Sequence, residues 1–108
     1  MIGLAGCAVN RYSSNFDFAA KLAQEGLWNE AYYRLQKAKA EGVDSALLHN
    51  NMAVVLEGLS RWPEAEEEYQ RAMKLDPANE QIKENYDRLR KLLKKDKPEE
   101  PKEGKNEK

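Results

Sequence analysis

An all-α chain built from repeated antiparallel helix pairs is the fold the sequence predicts, and three observations predict it. Apolar residues recur at helical spacing, the sequence matches itself at a shift of 34 residues, and small alanines return at the same place in each copy. Under that shift Ala19 falls on Ala53, Leu22 on Leu56, Trp28 on Trp62, Glu30 on Glu64, Ala31 on Ala65, Gln36 on Gln70 and Ala38 on Ala72. Phe18 on Met52, Leu35 on Tyr69 and Lys37 on Arg71 are conservative matches in the same register. Helix propensity alone has no reason to recur in this way, so the alanines mark close approach of helices.

The first unit reads as a helix carrying Phe18, Ala19 and Leu22, a turn at Gly26, and a second helix whose apolar side is Ala31, Leu35 and Ala38. Gly42 is a left-handed stop, and Asp44 or Ser45 can cap the next helix. In the second unit Leu48, Met52, Val55 and Leu59 make one stripe on a helix from about Ala46 to Leu59. Gly58, Ser60 and Pro63 mark a turn, since proline suits the first turn of a new helix. Ala65, Tyr69, Ala72 and Met73 give that new helix its apolar side, and Asp76 and Pro77 close it.

A third unit begins and is abandoned. Ile82, Tyr86, Leu89 and Leu93 continue the inward stripe, but Ala53 becomes Asp87 and Leu56 becomes Arg90 at the shifted positions. One apolar side and one charged side is what the open end of a repeat array needs, so Asn79 to Lys94 is expected to form a solvating cap and the chain to have about five helices. From Lys94 the chain carries six lysines, five acidic residues and no apolar residue, too little to offset the entropy of ordering; a solubilising, disordered tail is expected over 95–108.

Pairs of antiparallel helices in 34 residues resemble the tetratricopeptide repeat. The resemblance rests on Ala19, Leu22, Gly26, Trp28, Ala31, Leu35 and Ala38, and on Met52, Ala53, Leu56, Trp62, Ala65, Tyr69, Ala72 and Pro77, and it covers about Tyr12 to Leu93. Asn15 and His49 stand where that family often has Trp, and Val43 where a unit often ends in Pro. The resemblance implies a right-handed solenoid over 15–94 whose first helices line a concave groove. That groove takes a peptide or helix from a partner protein. By position in the repeats it would be lined by Phe16, Ala20, Gln24, Asn50, Asn51, Val54, Glu57, Gln81, Glu84 and Arg88. The Lys, Asn and Arg that clamp a C-terminal carboxylate in chaperone-binding members are replaced here by Phe16, Ala20, Asn51, Gln81 and Asn85, of which only Asn51 fits, so no such clamp is expected.

Composition narrows the function classes. Eighteen basic against nineteen acidic residues leave a net charge of -1, which gives no long-range attraction to nucleic acid. One cysteine and one histidine supply neither an internal disulfide nor a four-ligand Zn site, so no metal or cofactor is implied. His49 is expected to pack rather than catalyse. Glu64, Glu66, Glu67 and Glu68 are expected to form a solvated face near a helix N-terminus, because consecutive helical residues diverge.

Residues 1–14 form an apolar segment and linker, within which Leu4-Ala5-Gly6-Cys7 resembles the lipobox of bacterial lipoproteins. That likeness implies lipidation at Cys7 and a repeat domain tethered on the periplasmic side of a bacterial membrane, acting as an envelope assembly factor. Without the lipid the same repeats make a soluble cytoplasmic adaptor. A hydrolase or transferase using His49 or Cys7 is the third reading, though no convergent reactive groups can be assembled for it. Trp28, Tyr32 and Tyr33 are candidates for weak self-association through an exposed aromatic surface.

Overall fold

The computed structural model describes residues 14–96, and the apolar segment with Cys7 and the tail lie outside the described residues. Within them the chain is all-helical: α1 through 14–24, α2 Trp28–Ala40, α3 Ala46–Gly58, α4 Trp62–Leu75 and α5 Glu80–Asp96. This is the expected repeat-like array, with the last helix running two residues beyond the expected Lys94. Linkers of three to five residues force consecutive helices to fold back on one another, and Trp28 at the start of α2 accordingly meets Gly58 at the end of α3.

Local chemistry sets each boundary. Ser45 caps α3, its Oγ accepting the Leu48 N–H at 3.1 Å. Asn79 does the same for α5, its Oδ1 accepting the Ile82 N–H at 3.1 Å. Pro63 sits in the first turn of α4, where no intrahelical donor is lost. The α1–α2 turn places Gly26 at φ 78°, and the equivalent α3–α4 turn places Ser60, 34 positions on, at φ 59°. The two turns share one backbone shape, but only the first has the residue that adopts it without strain.

The core forms two clusters that repeat the same plan. Ala19, Ala31, Leu35, Ala38, Leu48, Met52 and Val55 make the first, and Ala53, Leu56, Ala65, Tyr69 and Leu89 the second. Tyr32 packs against both. Ala31, Ala38, Ala65 and Ala72 have no solvent exposure at all. A methyl at each point lets paired helices close until the larger Leu35 and Tyr69 fill the gaps beside them. On α5, Ile82 and Leu89 are fully buried while Tyr86 and Leu93 are half-buried, so this helix lids the second cluster as expected.

Two aromatic expectations change. Trp28 and Tyr32 are half-buried against the first cluster, because Gly58 offers bare backbone to the indole and Tyr32 fills the seam between clusters; only Tyr33, 59% exposed, stays on the surface. A Cβ at position 58 would lie 2.2 to 2.6 Å from the Trp28 ring. Gly58→Ala should therefore destabilise the fold by about 1 kcal/mol or more, the overpacking outweighing the roughly 1 kcal/mol gained in helix propensity. Ser60→Gly should stabilise it by up to about 1 kcal/mol. Urea unfolding checks both signs.

Candidate functional site

α1, α3 and α5 are the first helices of the three units and line one side of the array. Four of the expected groove residues come together there: Ala20 and Gln24 from α1, Asn51 and Val54 from α3, around a pit of about 180 Å³. Its floor is Ala19, Ala23, Leu35 and Val55, so the walls are almost wholly apolar and the two amides stand among them. Helical spacing explains the convergence, since 20 and 24, and 51, 54 and 55, each lie one turn apart on a single face. Small residues on α1 keep the pit open. Phe16 packs half-buried against the same cluster.

The other groove positions are already engaged with one another. Asn50 is 6% exposed, and its Oδ1 accepts from Asn85 Nδ2 at 3.0 Å. Asn85 Oδ1 in turn accepts from Arg88 Nη1 at 3.0 Å and Gln81 Nε2 at 3.4 Å. Arg88 Nη2 also donates to Glu57 Oε2 at 3.2 Å, and the Tyr69 hydroxyl donates to that same carboxylate. Burial, together with this bond, pushes the Tyr69 phenol far above its ordinary value and keeps it a donor. Asn50, Glu57 and Arg88, with Asn85, thus dock α5 onto α3, whereas Gln81 bonds only within α5 and both it and Glu84 stay exposed. Asn50 and Glu57 could not be read as docking residues from sequence, because their partners lie 35 and 31 positions away.

Further along α5, Arg88, Lys91, Leu92, Lys94 and Lys95 line an open surface recess of about 660 Å³. The expected groove residues stop at Arg88. Carrying Glu57 and Gly58 forward by 34 positions reaches Lys91 and Leu92 and supplies the missing signal.

A second polar cluster lies around His49, which is 3% exposed. Its Nδ1 is 2.6 Å from Glu68 Oε1 and its Nε2 is 2.8 Å from Asp44 Oδ1, while Arg71 Nη1 donates to Glu68 Oε2 at 3.1 Å. Each ring nitrogen thus faces a carboxylate oxygen, one from α4 and one from the α2–α3 linker. The expected solvated run of glutamates is corrected at two positions: Glu64 and Glu67 are exposed, but Glu66 is half-buried and accepts from the Tyr86 hydroxyl at 3.1 Å, and Glu68 is 7% exposed. Glu68 lies three residues after Ala65 and four before Ala72, on the core side of α4. Arg61 at the start of α4 grips Glu64 through two bonds of 2.8 and 2.7 Å, and this hydrogen bonding holds the Glu64 carboxyl below its usual range.

Among the described residues no helix is long and apolar enough to cross a membrane. The chain matches no protein family, no curated protein and no solved structure. Removing one partner of the buried amide pair leaves the other unsatisfied, so Asn85→Ala should cost about 1–3 kcal/mol. Asn50→Ala should cost a similar amount, and the double variant less than the sum. A double-mutant cycle in urea that returns simple additivity would show that the two amides do not act together.

Proposed function

We propose that this chain is a protein-docking module of the tetratricopeptide type that captures a peptide segment of a partner along α1, α3 and α5. One observation carries the reading: four residues chosen as groove-lining from repeat position alone converge on a single apolar pit with amides at its rim. A peptide needs both, because side chains require apolar contact and an extended backbone requires donors and acceptors. The geometry around His49 supports binding over catalysis, since both ring nitrogens are committed to carboxylates and the ring is buried.

A photo-activatable crosslinker placed at Ala20 should capture a defined partner in the host, while one at Glu67, on the exposed side of α4, should not. Equal products from both positions, or none from Ala20, would overturn the assignment of the surface. The likeness of Leu4-Ala5-Gly6-Cys7 to a lipobox supports a further part of the proposal, that the module is tethered by lipid at Cys7 to the periplasmic side of a bacterial membrane and serves an envelope assembly. Mass measurement of the protein from its host should find an N-terminal Cys7 carrying acyl chains. An unlipidated chain beginning at Met1 favours the soluble adaptor instead.

A further inference from the structure

The two ends of the groove have different chemistry, and together they specify a partner. At the α1–α3 end the pit of about 180 Å³ is close in size to a cavity of about 150 Å³ that admits one benzene ring. It has room for a single leucine- or phenylalanine-sized side chain. At the α5 end, Arg88, Lys91, Lys94 and Lys95 surround Leu92, which is 38% exposed. Glu57 is bound to Arg88 and Tyr69, and although Asp87 and Glu66 line a recess with Lys91 and Lys94 on the adjoining side of α5, Lys91, Lys94 and Lys95 make no ion pair with a described residue. Lysines in the last turn complement the helix dipole, which accounts for Lys94 and Lys95, while Lys91 lies one turn after Asp87 and between Arg88 and Lys95.

Val54, Glu57 and Arg88 join the two ends. Val54 to Glu57 is about one turn of α3, the ion pair crosses to α5 over an interhelical spacing of about 10 Å, and Lys91 and Lys95 come within two further turns. The path is about 20 Å, or roughly six residues of extended chain. Gln24 and Asn51 at the pit rim favour the extended form, because a helix would have used up the backbone groups that the amides can bond.

We propose, resting on the docking function above, that the partner segment is an extended acidic peptide with one large apolar side chain for the pit and a cluster of carboxylates about six residues away for Lys91, Lys95 and their neighbours. The positive charge selects the partner and speeds encounter, and the pit fixes register. No free C-terminus is needed, as neither end of the groove is built to single out a terminal carboxylate.

The test uses the full chain and fluorescent twelve-residue peptides with amidated C-termini, followed by anisotropy at low salt. A peptide with one Leu and, six residues on, four Glu should bind; Leu→Ser should weaken it at least tenfold, and Glu→Lys should abolish it. Ala20→Phe, which fills the pit from its exposed rim, should remove the preference for Leu over Ser. Lys91→Glu with Lys95→Glu should transfer binding to the lysine-bearing peptide, a gain that misfolding cannot produce. Equal binding of acidic, neutral and basic Leu peptides, still sensitive to Ala20→Phe, would overturn the acidic partner while leaving the docking groove in place. Binding of no peptide, or binding indifferent to Ala20→Phe, would remove the groove as well. Retention only on anionic phosphatidylglycerol vesicles or on oligo-dT, lost in the lysine variant, would replace the peptide by a surface or a nucleic acid.

Discussion

Everything in this array depends on how closely paired helices approach at four alanines without exposure. Ala31 and Ala38 on α2, and Ala65 and Ala72 on α4, set the spacing at which Leu35 and Tyr69 reach their neighbours. A larger side chain at any of them would hold the pair apart and empty the space around those anchors. The two clusters meet at α3, which gives Leu48, Met52 and Val55 to one and Ala53 and Leu56 to the other, and at Tyr32, which packs against both. The pit between α1 and α3 is a by-product of short side chains. It lies where Ala19, Ala20 and Ala23 face α3.

Polar side chains do a different task from the apolar ones. The amides of Asn50 and Asn85, with Arg88, Glu57 and Tyr69, form a chain of hydrogen bonds that passes from α4 through α3 to α5. Dispersion contacts tolerate a small slide of one helix past another, whereas a buried amide that loses its partner is left unsatisfied at a cost of about 1–3 kcal/mol. The network therefore fixes the register of the lid. Glu68, His49 and Asp44 act similarly on the other side, tying the α2–α3 linker to α4.

The helices and their cores are legible in the sequence because their signals are periodic and local. Ala31, Ala65, Leu48 and Ile82 announce their burial through spacing within their own segments. Ser45 is legible as a cap for the same reason. Asn50 and Glu68 are not, because a polar residue on a helix reads as outward unless its partner is known, and Asn85 and His49 are distant in sequence. In the groove the α1 and α3 positions come from repeat register. At its basic end Arg88, Lys91 and Leu92 follow from the same shift, but Lys94 and Lys95 do not, since their counterparts Ser60 and Arg61 lie in the α3–α4 linker. Ser60 shows the same limit in the backbone: serine does not advertise a left-handed turn, and only the alignment with Gly26 does.

α5 is at once the lid of the second cluster and the wall that carries Arg88 and Lys91. A terminal element with one packed side is the first to open in a linear array, at a free energy below that of global unfolding. A ligand held jointly by α1, α3 and α5 would therefore be thermodynamically linked to closure of this helix. Its binding would draw α5 shut, and any modification that loosened α5 would weaken the ligand by the same factor.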